Sequence, residues 1–140
     1  MNVKKIYSLI KEKGQRVTRQ KQTILMVLSN NMDRMLSVHD IKEHIPQDQH
    51  MDIVTIYRNV QSFTGLGILD SMIDDRGVTR YVLDNEHQHH HYLVCIVCGR
   101  ITNFPCHNHY WISYARENGF QELYHKLEVY GKCVRCQSDS

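Results

Sequence analysis

The sequence of 140 residues contains no apolar run that approaches the roughly 20 residues needed to cross a bilayer. Its N-terminus does not resemble a signal peptide, because Met1–Lys5 leads directly into an amphipathic pattern. It has no internal repeat, and no low-complexity tract apart from one cluster of histidines. We therefore expect a cytoplasmic protein without a membrane partner.

The formal net charge of +2 shows no large excess of one sign, but basic residues are concentrated near the N-terminus. Residues 1–21 contain one acid, Glu12, and the basic residues Lys4, Lys5, Lys11, Lys13, Arg16, Arg19 and Lys21. A basic patch favours a polyanionic partner such as nucleic acid. An ordinary solvated helix surface is the alternative.

Four of the five cysteines form two Cys-x-x-Cys pairs. Four thiolates in two such pairs make a tetrahedral ligand set that suits Zn²⁺. A disulfide framework is the alternative, but a chain without a recognisable leader favours metal binding. We predict a structural zinc site formed by Cys95, Cys98, Cys133 and Cys136.

Apolar periodicity predicts four helices in the first half of the chain. Their approximate ranges are 2–12, 18–30, 38–45 and 52–63. Thr18 and Ser37 are suitable N-caps for the second and third helices. Two strand-like runs follow, at 68–73 and 78–83, joined by a turn signal. This order is typical of a winged helix-turn-helix, in which the last helix enters the DNA major groove.

The second half of the chain begins with a polar segment, residues 84–88, which we interpret as a linker. Beyond it the patterns predict strands at 91–97 and 100–104, a helix at 109–118 and a long strand at 120–130. We predict an α+β protein with a winged helix-turn-helix domain at 1–83 and a small metal-binding α/β domain at 89–140. A domain this small buries little apolar surface, so a zinc staple is expected.

The histidine cluster spans residues 87–91 and is the second strong signal. In an extended segment His89 and His91 share one face, while His90 points to the other. Further candidate ligands are His107, His109 and His125, with Cys106 as a soft ligand. Imidazole suits zinc, iron, nickel and copper alike, so these residues do not select the metal. Ordinary surface histidines are the alternative.

Two sites of different softness suggest different roles. A structural Cys₄ site is expected to be permanent, because zinc contributes about 10–16 kcal/mol of apparent binding energy at such sites. A histidine-rich site is weaker and depends more on pH, so it fills and empties with the cellular metal supply. The combination is the chemistry of a metal sensor.

Several motifs in this order resemble the ferric uptake regulator (Fur) superfamily of metal-dependent bacterial repressors. They are Gly14–Thr18, Thr55–Val60, Gly67–Leu69, His89–Cys95, Cys98-Gly99 and His125–Gly131. The resemblance implies a winged helix followed by a dimerisation domain. It also implies a homodimer that binds a palindromic operator in double-stranded DNA.

The resemblance places the DNA contacts at Arg16, Arg19, Thr55, Tyr57 and Arg58. Tyr57 would pack on thymine methyl groups, and Arg58 would reach a guanine or a phosphate. Arg16 matches a basic residue that enters the minor groove, where narrow A·T-rich DNA attracts it. Exposed helix surface is the alternative for Tyr57 and Arg58.

The resemblance also implies that His89, His91 and His125 hold a regulatory metal, Zn²⁺ or Fe²⁺. The family usually adds a carboxylate from the intervening helix. This chain has none near that place, so His107 or His109 would substitute.

A second family site, at the hinge between domains, corresponds to Met35, Asp84, His90 and Tyr92. Met35 and Tyr92 are poor ligands, which leaves Asp84 and His90 as the candidates. The alternatives are that Glu86 or His87 completes this site, or that the site is absent.

The effector metal is left open between iron and zinc. The histidines and Cys106 resemble zinc uptake regulators, whereas Asp84 stands where many zinc sensors have a cysteine. A member that senses peroxide, manganese or nickel is an alternative. A zinc-stapled HNH-like nuclease, suggested by His107-Asn108-His109, and a metal-storage module are alternatives from other classes. We expect no enzyme, no catalytic residues and no small organic substrate.

Overall fold

The computed structural model describes residues 3–84, 89–107 and 110–137. The chain divides into two compact units, Met1–His87 and Gln88–Ser140, which we call the first and the second unit. Within the described ranges, no helix combines the length and the apolar character that crossing a membrane requires.

The described part of the first unit has four helices, and the last three of them begin directly after an N-cap residue. The four helices are α1 (Val3–Glu12), α2 (Arg19–Ser29), α3 (Val38–His44) and α4 (Ile53–Gly65). The Thr18 hydroxyl accepts the Lys21 N–H before α2, at 3.2 Å. Asp52 accepts the Thr55 N–H before α4, at 2.7 Å. Such caps satisfy amide groups that have no partner within the helix, and the predicted helices are confirmed.

A three-stranded antiparallel sheet completes the first unit. Its strands are β1 (Leu36–Ser37), β2 (Leu69–Ile73) and β3 (Thr79–Leu83), in the order β1-β3-β2. The β2–β3 turn is closed by Asp74, whose carboxylate accepts the N–H groups of Arg76 and Val78, each at 2.9 Å. This hairpin is the wing of the predicted winged helix, which is confirmed.

One apolar core joins the helices of the first unit to its sheet. Its most deeply buried members are Ile6, Ile10, Ile24, Leu25, Leu28, Ile41, Ile56, Val60, Phe63, Ile68 and Tyr81. Burying each side chain of this size contributes about 1.5–3 kcal/mol. Because Ile56, Val60 and Phe63 lie on one face of α4, the opposite face of this helix is turned to solvent.

Arg80 of β3 pairs with two carboxylates, one on α3 and one in the β2–β3 turn. Its Nη1 donates to Asp40 at 2.9 Å and its Nε to Asp74 at 3.0 Å. Asp40 also accepts the Ser37 N–H in a capping box. Burial raises the pKa of Asp40, but the hydrogen bonds with Ser37 and the charge of Arg80 outweigh it, so the pKa is lowered. The charged form of Asp40 is therefore the one that stabilises the fold.

We expect Asp40→Asn to destabilise the protein by about 1 kcal/mol near neutral pH, since the carboxylate is partly exposed and screened. A lowered folded-state pKa gives stability that is present above the unfolded-state pKa and lost as pH falls through the folded-state value. The difference between wild type and variant in urea unfolding should therefore shrink on acidification. Exposed Asp48→Asn is the control. A difference that persists in acid would contradict this role of Asp40.

The second unit combines a three-stranded sheet with two short helices. The strands are β4 (His90–Cys95), β5 (Ile101–Pro105) and β6 (Glu128–Gly131), and the helices are α5 (Tyr110–Glu117) and α6 (Val134–Gln137). The order is β5-β4-β6, with β4 antiparallel to β5 and parallel to β6. Because β4 is the central strand of this sheet, its residues lie beside both neighbouring strands.

The predicted long strand at 120–130 is wrong over most of its length, because only Glu128–Gly131 is extended in the sheet. Within this range Glu122 has a φ value of 52°, a left-handed conformation that interrupts a strand. Of the predicted linker, residues 85–88 lie outside the described ranges. Asp84 donates its N–H to the Ile68 carbonyl at 2.9 Å, and so closes the hairpin of the first unit.

Candidate metal centres and nucleic-acid interface

Four cysteines of the second unit come together as the spacing predicts. The sulfurs of Cys95, Cys98, Cys133 and Cys136 all lie within 4.8 Å of one another. Cys95 ends β4 opposite Gly131 of the parallel strand β6, so the residues that follow the two strands meet. The Cys98 and Cys133 sulfurs are 3.8 Å apart. Zinc–sulfur bonds of about 2.3 Å in a tetrahedron give nearly the same separation.

The backbone around this cluster favours negative charge on sulfur. The Cys133 N–H donates to the Cys95 sulfur at 3.3 Å. Together with amides of Cys98 and Val97, it lowers the pKa of Cys95 to about 6. Burial and the neighbouring thiols raise the pKa of Cys136 to about 12. Four close sulfurs do not all ionise without a cation among them, so this donor set fits Zn²⁺, which binds thiolates.

A second cluster contains three imidazoles and one thiol. The Nε2 atoms of His89 and His91 lie 3.0 and 3.2 Å from Nε2 of His125. The Cys106 sulfur is 3.3 Å from the same nitrogen. One ligand atom from each of these residues lies within 4.8 Å of all the others. Nitrogen and sulfur atoms converging in this way form a cradle for a metal ion.

The sheet accounts for this convergence. His91 lies within β4 and is only 4% exposed, with its ring 5.5 Å from that of Phe104 on β5. His89 immediately precedes β4 and shares the face of His91, as strand alternation predicts. Neighbouring His90 instead hydrogen-bonds the Tyr92 hydroxyl at 2.8 Å.

The surroundings of His91 favour the neutral form of its imidazole. Burial lowers the pKa of His91, and the adjacent His89 and His125 rings lower it further. A neutral imidazole offers the lone pair that a metal requires. The form of His91 that its surroundings favour is therefore the form that binds a metal.

Not every candidate ligand joins these clusters. His107 is exposed and is not in the histidine cluster, within the part of the chain that the structure describes. His109 lies outside that part, as do Glu86 and His87. Asp84 and His90 belong to different units, so the hinge assignment stays a prediction. Cys106, which the sequence offers as a soft ligand directly after a predicted strand, does lie in the histidine cluster.

Four of the five predicted DNA contacts are exposed on the first unit, and the fifth is half-buried. Tyr57 on α4 is 52% exposed, a high fraction for a large aromatic side chain, and Arg58 beside it is also exposed. Thr55 is half-buried in the first turn of α4. Arg16 and Arg19 are exposed near the start of α2. An exposed aromatic beside exposed cations is suited to base edges and phosphates.

A winged helix joined to a unit with a Cys₄ cluster and a histidine cluster defines the class of metal-responsive transcription regulators. Comparison with known proteins specifies this class further. Residues 12–130 match the model of the ferric uptake regulator family. The chain belongs to this family, and the resemblance found in the sequence is confirmed.

Its relatives carry the names of different metals. The chain is 34% identical to a ferric uptake regulation protein of Cupriavidus metallidurans over 130 residues, which is 90% of each chain. It is 31% identical to a zinc uptake regulation protein of Mycobacterium tuberculosis over 128 residues, 89% of this chain and 97% of that one. Because these identities are close, they favour neither metal as effector.

A solved structure shows the same fold. The crystal structure of the Vibrio cholerae ferric uptake regulator matches with a TM-score of 0.71 and 28% identity. The match covers 91% of this chain and 98% of that chain. That protein is described as having DNA-binding domains.

Proposed function

We propose that this protein is a DNA-binding repressor that controls metal-homeostasis genes in response to Zn²⁺ or Fe²⁺. Membership of the ferric uptake regulator family makes it a metal-responsive regulator. The observation that carries the proposal is the pair of clusters in one unit, one of four thiols and one rich in imidazole. The first unit adds an exposed helix face suited to DNA. We assign residues 1–83 to DNA binding, 84–88 to a linker and 89–140 to metal binding and dimerisation.

The two clusters would hold metal for different purposes. Zinc bound by Cys95, Cys98, Cys133 and Cys136 would balance the negative charge of the thiolates. It would also cross-link the ends of β4 and β6. The histidine cluster would hold the regulatory ion. His89 directly follows the linker in the sequence, so a metal held there would restrain the chain close to the boundary between the two units.

Restraint at this point offers a route from metal to DNA. In a dimer, two recognition helices must match successive major grooves about 34 Å apart. A metal that narrows the range of orientations open to the two recognition helices would raise operator affinity. The coupling needed is typically about 1–3 kcal/mol.

Exposed apolar side chains on the second unit support a homodimer. Tyr110, Trp111 and Tyr114 of α5 are 61%, 60% and 56% exposed. Val129, on the edge strand β6, is 43% exposed. Large exposed apolar groups typically mark an interaction surface. A dimer of this chain would also match a palindromic operator.

Arg58→Ala should weaken binding to an operator selected from random duplexes by about 1–3 kcal/mol and relax the preference for bases. Arg19→Ala, if it removes a phosphate contact, should weaken specific and scrambled DNA alike and lower the salt dependence. Fluorescence anisotropy with both duplexes at several salt concentrations measures this. Arg34→Ala is the control, because Arg34 is exposed and pairs only weakly with Asp33, at 3.7 Å. Equal losses in Arg58→Ala and Arg34→Ala would contradict the α4 assignment.

We propose that the protein has no enzymatic activity, which the regulatory function of its relatives supports. The nuclease alternative rests on His107, Asn108 and His109. Of these, Asn108 and His109 lie outside the described residues. Incubating DNA with the protein and divalent metal separates the two functions. Protection of one operator without strand cleavage supports a repressor, whereas nicking of plasmid DNA would support a nuclease.

A further inference from the structure

We propose that Cys106 is the fourth protein ligand of the histidine cluster and that its thiolate makes this cluster selective for Zn²⁺ over Fe²⁺ and Mn²⁺. The inference rests on the proposed function, because it names the metal of the regulatory site. The spacing of the histidines alone does not indicate Cys106 as a ligand.

Strand register places Cys106 at the cluster. His90 and His91 of β4 pair with Pro105 and Phe104 of the antiparallel strand β5. Continuing this register by one residue sets Cys106 opposite His89. The sheet that aligns the two imidazoles on one face therefore also delivers the sulfur, and no loop rearrangement is needed.

The distances fit a four-coordinate ion. Zinc–nitrogen bonds of about 2.0–2.1 Å in a tetrahedron place the nitrogens roughly 3.3 Å apart. The His125 nitrogen lies 3.0 Å from that of His89 and 3.2 Å from that of His91. Its distance to the Cys106 sulfur is 3.3 Å. Small outward movements of the four groups would admit the ion.

Cys106 is not needed for the structural zinc. The Cys₄ cluster has its full complement of sulfurs without it, and the two groups share no residue. Cys106 is half-buried and is not part of a disulfide. Its proximity to three imidazoles is thus the feature that gives it a role.

Donor softness then selects the metal. Three imidazoles and one thiolate form a closed tetrahedral N₃S set, which zinc favours. Manganese prefers oxygen ligands and higher coordination numbers, and Fe²⁺ lies below Zn²⁺ in the general order of affinities. A thiolate in place of an oxygen donor raises the affinity for zinc more than that for manganese.

Cobalt substitution tests the ligand directly. One equivalent of Co²⁺ is added to full-length protein whose Cys₄ sites hold zinc, and zinc release is monitored so that the spectrum reports only the second site. We expect wild type to show a thiolate-to-cobalt charge-transfer band with intense visible bands of a tetrahedral ion. Cys106→Ser should lose the charge-transfer band while retaining the structural zinc.

Competition with chelators measures selectivity. Cys106→Ser should lower zinc affinity by roughly 100-fold, the upper range seen when even an outer-shell partner of a metal ligand is removed. Its manganese affinity should change much less. Cys106→Glu should shift preference from zinc toward manganese, which a merely structural role of Cys106 would not do.

Two outcomes would overturn the inference. They are a wild-type spectrum without the charge-transfer band, and a Cys106→Ser protein that keeps the wild-type preference for zinc. If operator binding still requires metal in these cases, the proposed function stands and only the ligand assignment fails. If the band behaves as expected but operator binding ignores the metal, the zinc site stands and the proposed function fails.

Discussion

Replacing Cys95 by serine is expected to unfold the second unit and to abolish both structural zinc binding and dimerisation. Cys95 is 5% exposed, ends the central strand β4 and accepts the Cys133 N–H at 3.3 Å. Structural zinc contributes about 10–16 kcal/mol at such sites. This equals or exceeds the entire stability of a typical domain, about 5–15 kcal/mol. Zinc content measures the loss of structural zinc, hydrogen exchange measures the unfolding of the second unit, and sedimentation measures the loss of the dimer.

The expected damage is confined to the second unit. The first unit has its own apolar core, with Ile24, Ile56 and Phe63 fully buried, and should remain protected from exchange. Cys106→Ser is the matched control, because it removes a thiol from the same unit but not from the Cys₄ cluster. A folded, dimeric Cys95→Ser protein would show that the Cys₄ zinc is not what stabilises this unit.

Replacing His91 by alanine is expected to remove metal activation of operator binding while leaving the fold and the structural zinc intact. His91 is the most buried of the three clustered imidazoles, and its pKa is lowered by burial first and by its neighbours second. Losing it should reduce affinity for the regulatory metal by roughly 100-fold or more. Operator affinity should then stay at the metal-free level, about 5–150-fold below that of metal-loaded wild type.

His107→Ala is the informative comparison for this variant. His107 was a candidate ligand from sequence, but its side chain is exposed and outside the cluster. The His107→Ala variant should therefore retain nearly full metal activation when operator affinity is measured with and without metal. If His107→Ala loses activation and His91→Ala does not, the regulatory ligands have been assigned to the wrong residues.

The local features of the fold were predictable from sequence. Apolar spacing and the N-caps Thr18 and Ser37 fix the helices of the first unit, because each of these signals acts within one or two turns. Strand β1 was missed because two residues, Leu36 and Ser37, are too few to show an alternating pattern. The strand prediction at 120–130 is wrong over most of its length because apolar alternation does not reveal the left-handed backbone at Glu122.

The ligands of the metal clusters also fall into two groups: those that local spacing indicates and those that only strand pairing brings together. The Cys-x-x-Cys spacing and the alternation of His89 and His91 are local, and the structure brings together the residues they indicate. Selecting His125 and Cys106 over His107 depends on how β5 and the segment before β6 lie against β4. That pairing is non-local, so the number of histidines alone does not show which of them lie together.

The most direct test of the account is a metal titration of operator affinity. Full-length protein with zinc in the Cys₄ cluster and no metal in the histidine cluster is titrated with Zn²⁺ while binding to its operator is followed. The account predicts that affinity rises about 5–150-fold as one further ion per chain is bound. Equal affinity with the histidine cluster empty and filled would contradict it.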